Sequence, residues 1–357
     1  MPRSTVAEFS IDSLQVLDED GSVDGDLVPA LTDETLVELY RQMRRSRRLD
    51  ERAIALQRRG ELGTYAPAIG QEAAQVGSAA ALDPGDWIVP AFREQIVYLL
   101  RGTPLHKIFW YAMGMEEGAE IPEDSNIMPP SIPVGSQALH ATGIGWGKAL
   151  RGDAAAAITY FGDGATSEGD VYEAMNVAGA YDAQTVFLCQ NNQYAISTPR
   201  RVQTRAETLA QKAVAAGIEG IQVDGNDVLG VYAATKAALE QARDGNPVLV
   251  EAETYRRSMH TTSDDPSVYR SAEEEAEWDR RDPIARFETY LRSAGLLDDD
   301  RIEAIGAAIE TELGDAITRA KEGQPTVDPV DMFRHTFAEM PPILERQLAE
   351  YKVMRDE

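Results

Sequence analysis

Apolar and polar residues alternate along the chain in a pattern that predicts repeated strand and helix units. The apolar run 154–161 predicts a buried strand, which ends abruptly at Gly162-Asp163-Gly164. A second apolar run, 185–189, predicts the next strand. Between them, small and apolar residues recur at the spacing of a buried helix face, at Ala174, Val177, Ala178 and Tyr181. A strand, a helix and a strand within about 35 residues form a βαβ unit, so the two strands are expected to be parallel.

The alternation continues after residue 189 and predicts a doubly wound parallel α/β sheet. Further strands are expected at 218–223 and 247–254, and helices at 206–217 and 228–244. An N-terminal helix is expected to begin at Thr32, because threonine suits the capping position before the acidic residues that follow it.

Changes in composition divide the chain into regions. Residues 1–30 lack a periodic apolar pattern and are expected to form an acidic arm that orders only against a partner, if at all. Amphipathic helices with acidic outer faces are expected at 273–294, 299–322 and 342–355. The regions are the acidic arm at 1–30, an N-terminal helical region that packs on the sheet at 31–90, an α/β core at 91–255, a loop at 256–272, and C-terminal helices with a tail at 273–357.

The chain has a net charge of −26, with 60 acidic residues against 34 basic ones. This charge argues against binding to nucleic acid and to anionic membranes, which would both repel the protein. Arginine also outnumbers lysine among the basic residues. An acidic, lysine-poor surface suits a protein in concentrated salt, where screening removes self-repulsion. We therefore hypothesise a salt-accumulating, halophilic host, with an ordinary acidic enzyme as the alternative. Unchanged thermal stability between dilute buffer and molar KCl would contradict the hypothesis.

Neither a membrane span nor a secretory signal is predicted from the sequence. The chain has no apolar run of about 18 residues, and its N-terminal segment is acidic. Its single cysteine, Cys189, lies in a predicted strand and is expected to be a small buried side chain, not a nucleophile. We expect a cytoplasmic protein in a reducing environment.

Polar residues follow both strands of the central unit at the point where each strand ends. Asp163 follows the first strand, and Asn192 follows the second. In an open parallel sheet, ligands bind beyond the carboxyl ends of the strands, so these side chains are expected to share a site. A carboxylate and an amide oxygen, completed by phosphate oxygens, suit Mg²⁺. The flanking glycines, and a helix expected to begin near Thr166, favour a bound diphosphate. The alternative is an ordinary tight turn between a strand and a helix.

The residues around this turn form a longer motif that resembles a known family. Gly162-Asp163-Gly164 is followed by Glu168-Gly169, then by Glu173-Ala174-Met175-Asn176 and Asn191-Asn192. This run is similar to the thiamine-diphosphate motif in the α chains of 2-oxo acid dehydrogenase decarboxylases. The resemblance extends from about residue 30 to about residue 345, and it also includes segments 76–83, 192–199, 223–228 and 261–265. The last three resemble the branched-chain members in particular.

The resemblance implies roles for residues in and around the motif. Asp163, Asn192 and the backbone carbonyl of Tyr194 would hold Mg²⁺. His260 would lie over the cofactor and exchange protons with the intermediate or with the incoming lipoyl sulfur, as an unperturbed pKa would allow. The cofactor-binding residues implied by the family are Phe92, Arg93, Ile132, Val134, Gly162, Asp163, Gly164, Ala165, Gln190, Asn192, Arg256 and His260.

Within that set, arginines would contact the diphosphate and an apolar side chain would support the thiazolium ring. Arg93 and Arg256 are expected to contact phosphate, for which a guanidinium fork is well suited; a structural ion pair with a carboxylate is the alternative for Arg93. Val134 is expected beneath the thiazolium. Some relatives bind a structural K⁺ in the same segment, which corresponds here to Ser131, Pro133, Ser136 and Gln137.

Three positions depart from the family pattern. Gln190 replaces an arginine that contacts phosphate in relatives, and Arg200 or Arg201 is the candidate replacement. Ile132 replaces a serine of the branched-chain members, and Met259 replaces a basic or aromatic neighbour of the histidine. Each departure leaves one cofactor contact open.

The resemblance implies an enzyme that works with other proteins. Thiamine diphosphate would support oxidative decarboxylation of a small 2-oxo acid, with a branched-chain acid favoured and pyruvate or acetoin dehydrogenase as alternatives. Such enzymes also need a carboxylate beside the aminopyrimidine ring. Glu72 is a candidate but lies in a predicted helix of small residues, and too little chain follows residue 255 for a second sheet. We therefore expect a β subunit to supply this glutamate, in an α₂β₂ heterotetramer that passes its acyl group to a lipoyl domain.

Two other functions stay open at this point. A nicotinamide-dependent dehydrogenase would need Gly-x-Gly-x-x-Gly directly after an early strand, whereas Gly143-x-Gly145 lies within a predicted helix. A non-catalytic paralogue would be expected to lose the site, but the chain retains the metal-binding, arginine and histidine positions. The departure at Gln190 is what keeps this second alternative open.

Overall fold

The structure is a computed structural model that describes residues 3–325 and 328–356. The predicted arm also includes residues 1–2, and the predicted C-terminal region also includes 326–327 and 357, which lie outside the described residues. The strands are β1 Asp12–Leu14, β2 Trp87–Val89, β3 Ala157–Gly162, β4 Thr185–Asn191, β5 Tyr194–Ala195, β6 Thr198–Pro199, β7 Glu219–Asp224 and β8 Val248–Glu253. The helices are α1 Asp33–Arg58, α2 Glu72–Ala80, α3 Gln95–Leu100, α4 Leu105–Ala112, α5 Ser136–Arg151, α6 Gly169–Ala180, α7 Arg200–Gln203, α8 Lys212–Ala216, α9 Val228–Arg243, α10 Ala272–Asp279, α11 Pro283–Ser293, α12 Asp299–Glu322, α13 Asp331–Arg334 and α14 Pro342–Asp356. Short 3₁₀ turns occupy Glu116–Ala119, Asp163–Ser167 and Pro266–Val268.

The main sheet has parallel strands in the order β1-β7-β8-β4-β3-β2. β3, α6 and β4 form the βαβ unit expected from the sequence, and Gly162 pairs with Gln190 at the carboxyl ends. β8 lies on the other side of β4, where Asn191 pairs with Glu253. The α/β fold with a parallel sheet is therefore confirmed.

Helices cover both faces of this sheet, as strands with continuous apolar sequence require. Val186 and Leu188 of β4 belong to the core that includes residues of α1, α2 and α9. Phe187 and Cys189 point to the opposite face, in the core shared with α6 and α8. All four side chains are fully buried. Burial raises the pKa of the Cys189 thiol, which is thus the inert buried side chain expected from the sequence.

The first helix begins where the sequence predicts. The Thr32 hydroxyl accepts a hydrogen bond from the Thr35 N–H at 3.3 Å and caps α1. Arginines on the outer side of α1 form ion pairs with acidic residues of the C-terminal region. These pairs are Arg45 with Glu312, Arg47 with Asp282 and Arg48 with Glu310.

The N-terminal segment is attached to the sheet, which corrects the expectation of an arm that orders only against a partner. β1 pairs in parallel with β7 at the sheet edge. The Asp227 carboxylate accepts hydrogen bonds from the N–H groups of Val16 (2.7 Å) and Leu17 (2.9 Å), and all three residues are buried. Val16 and Asp227 are 211 positions apart in the chain, so a local pattern does not reveal this contact.

The helix expected at 273–294 is divided into α10 and α11. The Asp282 carboxylate accepts hydrogen bonds from the N–H groups of Ile284 and Ala285 and so caps α11. Pro283 occupies the first turn, where its missing N–H costs nothing but where it cannot continue a preceding helix. A cap followed by proline therefore separates the two helices.

The helix expected at 206–217 forms only over α8. Leu209 and Ala210 stay outside the helix because their N–H groups donate to the side chain of Glu251, at 2.7 Å and 2.9 Å. A buried carboxylate on β8 thus replaces the first helical hydrogen bonds. Across residues 3–325 and 328–356, no helix is both long and apolar enough to span a membrane.

Candidate active site

The carboxyl ends of β3 and β4 face a cavity of about 700 Å³. This volume lies within the range of small-molecule and cofactor sites. Asp163 and Asn192 both line the cavity, as predicted. The other residues implied for the cofactor and the metal line it as well: Phe92, Arg93, Ile132, Val134, Gly162, Gly164, Ala165, Gln190, Tyr194, Arg256 and His260.

Three oxygen atoms meet at the expected metal position. The side-chain oxygen of Asn192 lies 3.2 Å from Asp163 Oδ1 and 3.1 Å from the backbone oxygen of Tyr194. Adjacent ligands of an octahedral Mg²⁺ lie about 3 Å apart, so this spacing fits one shared ion. The Asn192 amide nitrogen donates to Gln71 Oε1 at 3.0 Å, which keeps its oxygen turned toward the cluster. The residues present therefore fit a bound Mg²⁺.

The Asn192 amide has a competing orientation when no cation is bound. Turning the amide over would let its nitrogen donate to both Tyr194 O and Asp163 Oδ1. In the oxygen-inward orientation, three acceptors face one another with no hydrogen between them, a repulsion that a cation converts into attraction. The described part of the chain has no group of three or more His, Cys, Asp or Glu side chains that could hold a metal. The amide and carbonyl oxygens are thus essential parts of this candidate site.

Unusual backbone geometry brings the Tyr194 carbonyl to the cluster. Gln193, between the two ligands, has a φ of +74°, a left-handed conformation that is uncommon for residues with a side chain. Gly164 packs against the same loop, where a Cβ on it would lie 2.7 Å from Ala195 Cβ. A larger residue at Gly164 would therefore push the two sides of the site apart.

The helix that follows β3 begins later than the sequence predicts. The expected start near Thr166 lies inside the 3₁₀ turn Asp163–Ser167, where the Thr166 hydroxyl donates to Asp163 O at 2.8 Å. Glu168 is extended, and α6 begins at Gly169. The sequence predicts that the N–H groups near Thr166 form the first turn of a helix. In the structure they lie in the 3₁₀ turn Asp163–Ser167.

Two buried guanidinium groups lie on the cavity wall without a carboxylate partner. Arg93 donates to Pro67 O at 2.7 Å and to His260 O at 3.0 Å. Arg256 donates to Ile196 O at 2.6 Å. Among the described residues, no Asp or Glu oxygen lies within 4.0 Å of either guanidinium. Burial lowers the pKa of Arg93 to about 10 and also lowers that of Arg256. Arg93 still carries its charge at neutral pH, and a guanidinium without a carboxylate partner is suited to an anion.

His260 lies between these arginines with its ring in the neutral form. Its Nδ1 accepts hydrogen bonds from Arg93 Nη2 (3.1 Å) and Arg256 Nη1 (3.3 Å), which leaves the ring proton on Nε2. Burial and the two neighbouring positive charges lower the pKa of His260 to about 4. This corrects the expectation of an unperturbed pKa, because the sequence does not show that both arginines surround the ring. Phe92 packs edge-on against the ring, with 6.0 Å between centroids.

Gln190, one of the departures from the family pattern, belongs to a buried polar network. Its Nε2 donates to Glu94 Oε1 at 2.7 Å, and its Oε1 accepts from Gln75 Nε2 at 3.1 Å. Burial raises the pKa of Glu94. Arg200 and Arg201 do not line the cavity. The structure therefore does not place either arginine at the cavity, and Arg200 donates to the carbonyl of Glu207 instead.

The segment before α5 places the two predicted apolar contacts on the cavity wall. Ile132 is 58% exposed and Val134 is 51% exposed. Large apolar side chains with this exposure beside a cavity leave surface for a ligand or a partner to cover. Gly135 follows with a φ of +90°, which only glycine adopts readily, and it turns the chain into α5.

The residues expected near K⁺ are only partly brought together. The oxygens of Ser131, Pro133 and Ser136 lie within 3.4 Å of one another. Gln137 instead donates its amide to Tyr160 O at 3.0 Å, and its buried Oε1 has no hydrogen-bond partner.

Several contacts to the oxygen cluster carry no signal in the sequence. Gln203 donates from Nε2 to Asp163 Oδ2 at 2.6 Å, from 40 positions further along the chain. Gln71 lies 121 positions before Asn192 and orients its amide. Neither glutamine stands in a recognisable motif, and only the folding of the chain brings them to the site.

Glu72 does not line the cavity. Its carboxylate bonds to Arg47 Nε at 2.7 Å and to the N–H of Gly70 at 2.9 Å, and it is fully buried. Glu72 is the candidate within this chain for the carboxylate beside the aminopyrimidine ring. Its carboxylate is instead engaged in an ion pair with Arg47 of α1.

The fold is α/β, and its cavity holds a cluster of three oxygen atoms beside two buried arginines. The chain belongs to the family described as Dehydrogenase E1 component, which matches residues 40–328. This family acts on 2-oxo acids and its membership implies the use of thiamine diphosphate. The resemblance to the α chains of this family is therefore confirmed.

Two relatives show how far the similarity extends. The chain is 46% identical over 355 residues to the pyruvate dehydrogenase E1 component subunit alpha of Staphylococcus epidermidis, covering 98% of this chain and 95% of the relative. It is 45% identical over 357 residues to the protein of the same name from Staphylococcus aureus, with the same coverage. These names support the pyruvate alternative better than the branched-chain preference expected from the sequence.

Proposed function

We propose that this chain is the α subunit of a decarboxylase that holds thiamine diphosphate and Mg²⁺ and acts on pyruvate. The observation that supports this most directly is the meeting of oxygens from Asp163, Asn192 and Tyr194 beside two buried arginines that have no carboxylate partner among the described residues. The names of the relatives favour pyruvate over a branched-chain acid or acetoin.

Each group on the cavity wall has a binding role in this proposal. Asp163, Asn192 and the Tyr194 carbonyl would hold Mg²⁺, and Arg93 and Arg256 would bind the diphosphate charge. Gly162, Gly164 and Ala165 would line the diphosphate and aminopyrimidine, with Phe92, Ile132, Val134 and Gln190 as further cofactor contacts. Thiamine diphosphate, when bound, supplies the electron sink for the carbon that loses CO₂. A K⁺ bound by the oxygens of Ser131, Pro133 and Ser136 would stabilise the segment that carries Ile132 and Val134.

His260 would manage a proton at Nε2. The two arginines hold Nδ1 as an acceptor, so the neutral ring has its single N–H free at Nε2. From there it would donate to the reacting oxygen or to an incoming lipoyl sulfur. A neutral imidazole with a fixed tautomer serves as a donor without the cost of a buried extra charge.

The carboxylate beside the aminopyrimidine ring would come from a β subunit. Among the described residues, the buried acidic side chains on the cavity wall are Asp163 and Glu94. Asp163 belongs to the oxygen cluster, and the two Glu94 oxygens already accept hydrogen bonds from Gln190 and from the Arg93 N–H. An α₂β₂ heterotetramer that acylates a lipoyl domain would therefore be the working unit, and we expect it in the cytoplasm.

The test uses this chain co-expressed with its β subunit. Calorimetric titration with thiamine diphosphate should detect binding that requires Mg²⁺. Decarboxylation of pyruvate, 2-oxoisovalerate and 2-oxoisocaproate, with a lipoyl domain as acceptor, should give the highest kcat/KM for pyruvate. Absence of cofactor binding would favour a non-catalytic paralogue. A higher kcat/KM for a branched-chain acid would reverse the substrate assignment, and decarboxylation by the α chain alone would contradict the need for β.

A further inference from the structure

A buried carboxylate outside the cavity forms hydrogen bonds with two segments of the chain. One segment carries Asn192, and the other contacts Asp163. Glu251 is fully buried in the middle of β8. Among the described residues, no Lys, Arg or His nitrogen lies within 4.0 Å of it. It does not line the cavity, so it does not contact the candidate cofactor site directly. Burying a carboxylate without a positive partner is costly unless hydrogen bonds satisfy it, so its bonding partners indicate its role.

One oxygen of Glu251 holds the strand end that carries Asn192. Its Oε1 accepts a hydrogen bond from Asn191 Nδ2 at 2.7 Å, and both residues are buried. Asn191 is the last residue of β4, and its carbonyl also accepts from the Thr254 N–H at 2.9 Å. The residue directly before Asn192 is therefore fixed to β8 by side chain and backbone together.

The other oxygen of Glu251 holds a segment that braces Asp163. Its Oε2 accepts hydrogen bonds from the N–H groups of Leu209 (2.7 Å) and Ala210 (2.9 Å). Gln203, before this anchor, donates to Asp163 Oδ2 at 2.6 Å. On the far side of the anchor, α8 begins two residues later and also reaches the Asp163 turn.

That second contact is made by a buried lysine. Lys212 Nζ donates to Thr166 O at 3.0 Å, and the Thr166 hydroxyl donates to Asp163 O at 2.8 Å. Lys212 also donates to Tyr172 OH at 2.6 Å, which limits its movement. The segment 203–212 thus contacts the turn at two places and is anchored between them by Glu251.

We propose that Glu251 is a positioning residue that sets the distance between Asp163 and Asn192. Its carboxylate accepts hydrogen bonds from Asn191, next to Asn192, and from the segment 203–212, which contacts Asp163. Both metal-binding side chains are therefore held by segments that are fixed to the same point on β8. This inference rests on the proposed function, since it assigns Glu251 a role in the affinity of the same Mg²⁺ and diphosphate site. Groups that orient metal ligands from behind typically change metal affinity by about 10–100-fold when they are removed.

The primary test is the variant E251Q in the complex of this chain with its β subunit. The substitution keeps the shape, but its amide can accept hydrogen bonds on one side only and presents N–H groups to a donor on the other. We expect the affinity for Mg²⁺, measured by calorimetry at saturating thiamine diphosphate, to fall by about 10–100-fold. We expect kcat at saturating Mg²⁺ to stay close to that of the unmodified complex, since Glu251 contacts no reacting group.

The matched control is D227N. Asp227 is also a fully buried carboxylate that accepts backbone N–H groups, from Val16, Leu17 and Leu229, but it holds the N-terminal segment and not the metal supports. D227N should lower the melting temperature of the complex and leave the Mg²⁺ affinity unchanged. A general loss of packing would instead lower both quantities in both variants.

The double variant E251Q/N191D tests the geometry itself. N191D alone places two carboxylates face to face and should weaken Mg²⁺ binding. Combined with E251Q, the introduced amide can donate to the introduced carboxylate and still accept from Leu209 and Ala210, so the affinity should recover toward that of the unmodified complex. Independent, additive losses in the double variant would overturn the proposal.

The outcomes separate this inference from the proposed function. If the unmodified complex does not bind thiamine diphosphate with Mg²⁺, the proposed function fails. If the unmodified complex binds both and E251Q has the same Mg²⁺ affinity, only the role of Glu251 fails. A lower melting temperature with unchanged Mg²⁺ affinity would make Glu251 a structural residue like Asp227.

Discussion

The charged side chains around the cavity and those on the outer helices differ in whether they have an oppositely charged partner. The buried charged groups that line the cavity have no oppositely charged partner within 4.0 Å among the described residues; they are Arg93, Glu94, Asp163 and Arg256. On the outer side of α1, arginines pair directly with carboxylates and remain partly exposed, as Arg45 does with Glu312 and Arg48 with Glu310.

This difference shows which charges serve folding and which serve binding. Exposed ion pairs contribute little, typically less than about 1 kcal/mol each, but they cost little to form. A buried charge without an oppositely charged partner has a free-energy cost that hydrogen bonds offset in part, and a bound ligand of opposite charge offsets more of it. The cavity region is therefore expected to respond to ligands, and the outer helices to salt. The following experiments test that contrast, from the largest expected effect to the smallest.

The largest effect on cofactor binding is expected from D163N. Asp163 is the only carboxylate in the oxygen cluster, so its loss should weaken Mg²⁺-dependent binding of thiamine diphosphate by more than about 100-fold. Burial raises the pKa of Asp163 to about 6, which reflects an uncompensated charge, so the cofactor-free variant should melt at the same or a higher temperature. Calorimetry and thermal denaturation measure the two effects. Retained binding together with a lower melting temperature would contradict the contrast.

H260N should reduce catalysis more than binding. Loss of a positioned proton donor typically costs about 10²–10⁴-fold in rate. We expect kcat for acyl transfer to a lipoyl domain to fall within this range, while the affinity for thiamine diphosphate changes much less. Single-turnover kinetics and calorimetry on the same samples separate the two. Equal losses in kcat and affinity would make His260 a binding residue only.

R93Q should affect binding of the diphosphate and not of the ring system. Removing a charged hydrogen-bond donor costs about 1.5–3 kcal/mol, which is about 10–150-fold in affinity. The affinity for thiamine diphosphate should fall by this factor, while the weaker binding of thiamine, which lacks the diphosphate, should not change. R45Q, at a paired arginine of the outer helices, is the control and should change neither affinity.

The depressed pKa of His260 predicts a pH dependence of stability. In the cofactor-free chain its pKa is lowered to about 4, against about 6.5 in an unfolded chain, so the unfolded state binds more protons between these values. Its contribution to stability is present above about pH 6.5 and is lost as the pH falls toward 4. The difference in melting temperature between the unmodified chain and H260N should therefore change between pH 7 and pH 4.5. A constant difference would show that the ring is not held neutral.

The smallest effect is expected from E310Q. This substitution removes a partly exposed pair with Arg48, so the free energy of unfolding should fall by less than about 1 kcal/mol. Screening should remove the difference in molar KCl. Denaturant titration in low and high salt measures both. A larger decrease in the free energy of unfolding that does not depend on salt would show that this pair behaves like a buried charge and not like an exposed ion pair.

Much of the candidate site could be predicted because its central residues follow strand ends. Asp163 and Asn192 each stand directly after a strand, and parallel strands bring such positions to one edge. The residues that hold these two side chains in place could not be predicted in this way. Gln203, Gln71 and Glu251 reach the site from other parts of the chain, and no local pattern marks them. The same long-range bonds to Glu251 also explain why the helix expected at 206–217 begins only at Lys212.

The amino-acid sequence by itself determined the central strands, the cap of α1 and the order of the α/β units, because periodicity and capping depend on residues a few positions apart. It also determined which side chains stand at the carboxyl edge of the sheet. Only the tertiary structure decided the state of those side chains: the neutral ring of His260, the burial of Arg93 and Arg256 away from any carboxylate of the described residues, and the spacing of the three oxygens. The physical reason is that electrostatic energies depend on burial and on distances of a few ångströms between residues far apart in the chain.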